Sequence, residues 1–182
     1  MNLWIASLLV SFGVCLLIVL TQRWHGRFTH DPAVGVQKFH TTPVPRIGGL
    51  GIYLGLVAGW AMGPEQVHDT LEPILLAGLP ALAAGLTEDV TKRVGVTPRL
   101  LATMLSGLVI CLMTDHWINH LDIPVVDDAL AHPVMAIVFT SFAVAGLANA
   151  INLIDGFNGL ASGVLAGCFA TFAVVAFGAG DE

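Results

Sequence analysis

Asn149-Ala150-Ile151-Asn152-Leu153-Ile154-Asp155-Gly156-Phe157-Asn158-Gly159 is a polar island in a hydrophobic run. An apolar segment from Pro133 to about Ala148 precedes it and another, Leu160 to Phe177, follows it; each is long enough to enter a bilayer. Asn149, Asn152, Asp155 and Asn158 recur at every third position, a step of about 300° on a helix, so neighbouring members lie side by side on a slowly turning stripe. Gly156 and Gly159 loosen the backbone where these polar groups bunch. A helix end capped by Asn and Gly would explain a single Asn-Gly pair. Four polar side chains in register at a membrane boundary are costly unless something binds them, which favours a ligand site.

The remaining chain fits a membrane setting. Of 182 residues, 55% are apolar and only 11% charged, against about 25% charged in an ordinary soluble domain, and the mean hydropathy is +0.81. The expected architecture is an all-α integral membrane protein of about six spans, forming a single multi-span domain over residues 1–182. Besides the two segments around the island, the spans are Leu3 to about Thr21, Ile47 to Met62, Leu71 to about Leu86, and Pro98 to about Met113. The first is closed by Gln22-Arg23-Trp24-His25 and has no small-residue cleavage site, so it reads as a retained helix rather than a signal peptide. Gly51, Gly55 and Gly59 have the spacing of close-packed membrane helices, and Pro80 predicts a kink. The outer stretch Asp115 to His132 alternates around Ile123-Pro124-Val125-Val126, which predicts a short hairpin. Cys15, Cys111 and Cys168 stand singly in apolar segments, without metal spacing.

The charges divide by side. All seven basic residues, Arg23, Arg27, Lys38, Arg46, Lys92, Arg93 and Arg99, fall in or beside the segments after spans one and three. The alternate segments carry only acidic charge, from Glu65, Asp69 and Glu72 to Asp181 and Glu182. By the positive-inside rule the basic loops face the cytoplasm, both termini lie outside, and the island after span five joins the cytoplasmic face. Three cytoplasmic loops therefore hold the candidate chemistry.

In the first loop, Lys38-Phe39-His40-Thr41-Thr42-Pro43-Val44-Pro45-Arg46-Ile47-Gly48-Gly49 combines two cations and a histidine with a Gly-Gly helix start. Cations beside exposed backbone N–H groups suit phosphate oxygens, although anionic lipid headgroups would attract the same residues. In the second loop, Gly85-Leu86-Thr87-Glu88-Asp89 places adjacent carboxylates at the mouth of a span, followed by Lys92 and Arg93. Such a pair needs a cation: a salt bridge to those neighbours would supply one, and Mg²⁺ shared with substrate phosphates would supply another. On either loop alone the salt-bridge or headgroup reading is sufficient. Three such loops on one face favour a phosphate-bearing substrate.

These residues resemble the polyprenyl-phosphate N-acetylhexosamine-1-phosphate transferases. The resemblance rests on Lys38-x-His40-x-x-Pro43-x-Pro45-Arg46-x-Gly48-Gly49, on Gly85-x-x-Glu88-Asp89, and on Asn149-x-x-Asn152-x-x-Asp155-Gly156-x-x-Gly159-Leu160-Ala161-x-Gly163, and it runs from about residue 30 to the end. It implies a Mg²⁺-dependent enzyme, with Mn²⁺ as the alternative ion, of the bacterial plasma membrane. Such an enzyme moves sugar-1-phosphate from a UDP-N-acetyl-sugar to polyprenyl phosphate and releases UMP in cell-envelope polysaccharide synthesis. By resemblance Glu88, Asp89 and Asp155 are catalytic, and Asp89, Asn152 and Asp155 meet the metal. Lys38, His40, Arg46, Asn149, Asn152 and Asn158 meet substrate. A homodimer is one assembly open to such a chain, and no nucleic acid is expected. The chain departs from the family in having Glu88 where aspartate is usual and Asn158 where a second aspartate is often found. Six spans against the family's ten or eleven make it look like the N-terminal part of such an enzyme. A non-catalytic membrane scaffold is the rival class. A transporter is a further one, but it predicts ionisable groups near mid-bilayer, where none is clearly placed.

Overall fold

The computed structural model describes residues 3–31, 44–155 and 159–180. Across them the chain runs through α1 (Leu3–Thr29), β1 (His30–Asp31), β2 (Val44–Pro45), α2 (Gly48–Met62), α3 (Glu65–Thr91), α4 (Val96–Thr114), α5 (Pro124–Leu130), α6 (Pro133–Ile154) and α7 (Leu160–Ala179). The two strands form a minimal antiparallel ladder, His30 opposite Pro45 and Asp31 opposite Val44. Five helices, α1, α3, α4, α6 and α7, are long and apolar enough to cross a membrane. The second expected span corresponds to α2, whose 15 residues extend only about 22 Å at 1.5 Å per residue, short of the roughly 30 Å hydrocarbon layer.

The helices overrun the expected boundaries. α1 continues past Thr21 through Arg23, Trp24 and His25; α3 begins at Glu65 and ends at Thr91; α6 carries Asn149 and Asn152 within its final turns. Hydropathy marks where a segment enters hydrocarbon, whereas the hydrogen-bonded helix continues until a cap stops it. The expected hairpin around Ile123-Pro124 is instead the start of α5. Pro124 occupies the first helical turn, where its missing N–H is no loss, and Asp127 sits in that turn, favoured by the helix dipole. Asp127 also accepts the Leu121 N–H at 2.7 Å and lies 3.0 Å from His120 Nδ1, which folds the preceding loop onto the helix.

Residues Met1–Asp31 and Val44–Gly146 form one compact unit. In it α1 packs most extensively on α2 and α3 on α4, with α2 also against α3. Its interior is built mainly from small side chains: Ala6, Ala77, Cys111, Ala136, Ala145, Ser106 and Ser141 are buried, joined by the larger Ile18, Leu75 and Leu130. Large apolar groups point outward, Trp4 at 76% exposure and Leu112 at 62%. This inverts the soluble pattern and suits lipid outside with close backbone approach inside.

The glycines show how close the approach is. A Cβ added to Gly55 would stand 2.8 Å from Ser11 Cβ and 2.9 Å from the Ser7 carbonyl oxygen; one on Gly51 would strike Cys15, and one on Gly59 the Ser7 hydroxyl. Ser7, Ser11 and Cys15 on α1 thus lie against Gly59, Gly55 and Gly51 on α2, in antiparallel order. Glycine costs about 1 kcal/mol relative to alanine in a helix interior, and here that cost is offset by packing no larger residue permits. Gly107 of α4 does the same against α6, where an added Cβ would lie 2.7 Å from Ser141 Cα.

Pro73 and Pro80 both lie inside α3, which remains continuous. Proline lacks an N–H and its ring disturbs the turn before it. Beside Pro80, the Ala81 N–H donates to Ser106 Oγ of α4 at 3.1 Å, and Tyr53 Oη of α2 donates to the Leu75 carbonyl at 3.0 Å. Side-chain hydroxyls on neighbouring helices thus hydrogen-bond the backbone of α3 near its prolines, as suits hydrocarbon surroundings.

The described residues of the second unit, 147–155 and 159–180, comprise the last turns of α6 and the whole of α7. α7 opens at Gly159, whose φ of 81° is the left-handed conformation that glycine adopts without strain. Ala161 is its one buried residue, while Phe169, Phe172, Val174, Val175 and Phe177 are exposed.

Candidate active site

The acidic pair occupies the last turn of α3. Lys92, in the left-handed conformation (φ 54°, ψ 27°), ends the helix, and its N–H donates to the Glu88 carbonyl at 2.7 Å. The chain reverses through Arg93 and Val94, and Gly95, with extended backbone, caps α4. One turn into α4, Arg99 returns to the end of α3. Its Nη1 lies 3.0 Å from Glu88 Oε2 and 3.2 Å from Oε1, within charge-assisted hydrogen-bond range of both.

Arg46 reaches the pair from another direction. It follows β2 immediately and precedes α2, and its guanidinium spans both carboxylates: Nε is 3.4 Å from Asp89 Oδ1 and Nη2 is 3.8 Å from Glu88 Oε1. Arg46, Asp89 and Arg99 hold further interactions besides these. Glu88 and Asp89 expose 19% and 21% of their side chains, so the cluster is sheltered but reachable from outside. Two expected cytoplasmic loops thus meet at one end of the first unit.

The cations that neutralise the pair are not the expected ones. Lys92 and Arg93 stand nearest in sequence, yet among the described residues neither forms an ion pair with it, and both are exposed. The left-handed turn at Lys92 stops the helix before these side chains can stack over the carboxylates. Arg99 is the site residue that sequence reasoning missed. Its signal was the Gly95-x-x-Pro98-Arg99 helix start, which puts a cation one turn into the helix antiparallel to the acidic one.

In the second unit, Asn149 and Asn152 lie on α6, half-buried and exposed respectively, and Asp155 is exposed in the turn just past its end. The expected helical stripe therefore holds for its first two members and continues into the turn with the third. Lys38, His40 and Asn158 lie outside the described residues.

Among the described residues, no three His, Cys, Asp or Glu side chains gather into a ready-made metal cage. The Glu88–Asp89 pair is nonetheless a donor set of the kind Mg²⁺ uses, one or two carboxylates completed by water and substrate phosphate. Arginines within reach of both carboxylates add groups that bind phosphate through a planar fork.

The fold defines a helical multi-pass membrane protein, with two carboxylates and two arginines gathered at one helix end. The family model for Glycosyl transferase family 4 matches residues 72–182, and the chain belongs to that family. The match takes in Glu88, Asp89, Arg99 and the island, and leaves out Arg46.

Among similar proteins is the probable undecaprenyl-phosphate N-acetylglucosaminyl 1-phosphate transferase of Bacillus subtilis, 28% identical over 144 residues, or 79% of this chain and 40% of the relative. The decaprenyl-phosphate N-acetylglucosaminephosphotransferase of Mycobacterium tuberculosis is 29% identical over 151 residues, 78% of this chain and 36% of the relative. The phospho-N-acetylmuramoyl-pentapeptide-transferase of Staphylococcus carnosus is 25% identical over 156 residues, 78% of this chain and 48% of the relative. The chain thus spans under half the length of these relatives. No solved structure matches it.

Proposed function

We propose that the whole protein transfers sugar-1-phosphate from a UDP-N-acetylhexosamine to polyprenyl phosphate at the cytoplasmic face of a bacterial plasma membrane, in cell-envelope polysaccharide synthesis. A phosphate oxygen of the lipid attacks the β-phosphorus of the nucleotide sugar. The bond from that phosphorus to the bridging oxygen breaks, UMP leaves, and a lipid-linked sugar pyrophosphate remains.

The observation that carries this reading is the meeting of Glu88, Asp89, Arg46 and Arg99 at one helix end, in a chain whose relatives are named for this transfer. Phosphoryl transfer needs positioning and charge neutralisation more than covalent help. Arg99 fixes the Glu88 carboxylate, and Arg46 brings a guanidinium to where phosphate oxygens would enter. Asp89, beside them, is the carboxylate assigned to a divalent cation. Bound Mg²⁺ would neutralise the charge that develops on the pyrophosphate. Asn152 and Asp155 are assigned to the nucleotide-sugar and metal side, and Asn149 to substrate. The short helix α2 serves as the sixth span in this arrangement, with both termini outside; the charge map supports that orientation.

The test is Mg²⁺-dependent UMP release, with transfer of label from UDP-N-acetylglucosamine to lipid, by the protein in its membranes. Asp89→Asn and Asp155→Asn are each expected to abolish turnover in the complete enzyme while leaving insertion intact. Near-normal activity in either would overturn the role given to that residue.

A further inference from the structure

The connector between α4 and α5, residues 115–123, is tied to both of the helices that follow it. The Ile118 N–H donates to Thr140 Oγ1 of α6 at 2.9 Å, and the Leu121 N–H donates to Asp127 Oδ1 of α5 at 2.7 Å. His120 stands between those two residues with a carboxylate at each ring nitrogen. Its Nε2 lies 3.0 Å from Asp122 Oδ1, and its Nδ1 lies 3.0 Å from Asp127 Oδ2. The backbone passes through the left-handed region at Asp115 and Asp122, φ 53° and 62°, a conformation that residues other than glycine adopt seldom. Among the described residues no other charge lies within ion-pair distance of His120. Asp115, His116, Asp128 and His132 are the other titratable groups of the stretch, and none of them forms an ion pair; His116 Nδ1 meets the Thr114 carbonyl instead.

An ionised carboxylate only accepts hydrogen bonds, so each of these contacts requires an N–H on the ring. Neutral imidazole carries one N–H and would turn a lone pair toward the other carboxylate. Imidazolium carries two and satisfies both. We infer that His120 is a protonation-controlled clip: as imidazolium it bridges Asp122 and Asp127 and closes the connector onto α5, and on losing a proton it releases Asp122. The two arms are unequal. Asp127 exposes 17% of its side chain and is also fixed by the Leu121 N–H, whereas Asp122 is 94% exposed and water can replace the ring there. The proton that remains is therefore the one on Nδ1, facing Asp127. Histidine changes charge between about pH 5 and 8, so the connector is closed on the acid side of that range and loosened on the alkaline side. In the orientation that the charge map supports, the clip faces outward and responds to the pH outside the cell.

The experiment is nuclear magnetic resonance on the full chain in detergent, with ¹⁵N in the histidine rings and the backbone, at about pH 5 and about pH 8.5, on either side of the histidine range. Both ring nitrogens of His120 are expected to carry protons at the lower value, and Nδ1 alone at the higher. Protection of the Leu121 N–H, corrected for intrinsic exchange, is expected to fall about threefold across the same step. His120→Gln is expected to abolish that fall. Asp122→Gly removes the carboxylate but keeps the left-handed turn, and is expected to abolish it too; it keeps the inference testable if His120→Gln fails to fold. His116→Gln and His132→Gln, at histidines that pair with neither carboxylate, are expected to retain it. No fall in the wild type, or the same fall in His120→Gln, would overturn the clip. Loss of the fall in His116→Gln or His132→Gln would overturn it as well, and so would a His120 ring that keeps its proton on Nε2 at the higher pH.

Discussion

Arg99 Nη1 holds both carboxylate oxygens of Glu88, at 3.0 and 3.2 Å, across the turn that joins α3 to α4. Glu88 also accepts the capping N–H of Lys92 through its backbone carbonyl, so one residue closes the helix and binds the arginine. The longer glutamate side chain extends to the neighbouring helix, and the shorter Asp89 remains beside it.

If that contact is specific, Glu88→Gln and Arg99→Gln will not add. Each single change leaves a partly buried partner without its counter-charge, and the double variant removes both. A double-mutant cycle on thermal unfolding in detergent is expected to give a coupling of about 1 kcal/mol. Glu88→Asp should lose most of it, because one methylene is removed from the reach. Additive effects would show that the pair contributes nothing.

The contact between α1 and α2 separates two glycines that look alike in sequence. At Gly55 an added methyl meets Ser11 Cβ and the Ser7 carbonyl, neither of which can turn aside. At Gly59 it meets the Ser7 hydroxyl, which can rotate away. Gly55→Ala is expected to cost about 1–3 kcal/mol and Gly59→Ala well under 1 kcal/mol, both read from unfolding midpoints. A reversed order would mean that the helices are not held at this separation.

Ser106→Ala removes the hydroxyl that takes the Ala81 N–H beside Pro80. The expected loss is about 1 kcal/mol of stability, with faster hydrogen exchange at Ala81. Unchanged exchange would show that the N–H finds another acceptor within α3.

Much of this was legible in the chain itself. Gly51, Gly55 and Gly59 announced a close helix contact because four-residue spacing places them on one face, and the structure supplies Cys15, Ser11 and Ser7 as that contact. The need of Glu88 and Asp89 for a cation was equally clear, since adjacent carboxylates repel. Which cation answers it was not. Lys92 and Arg93 were the neighbours in sequence, but a left-handed residue ends the helix before them and the pairing passes to residues 46 and 99. The Asp115–His132 alternation was ambiguous for a related reason: a weak two-residue period does not outweigh a proline at the first turn of a helix. Ser106 was invisible because its partner is a backbone N–H that matters only through Pro80.

That last bond bears on how the protein enters its membrane. An isolated α3 would carry the Ala81 N–H into hydrocarbon without the Ser106 hydroxyl, and only α4 can bring it. The two helices are joined by the short turn at Lys92 and lie antiparallel, so the partner is the next segment to leave the ribosome. Insertion of the two helices together as a hairpin would keep the proline in α3 from facing lipid alone.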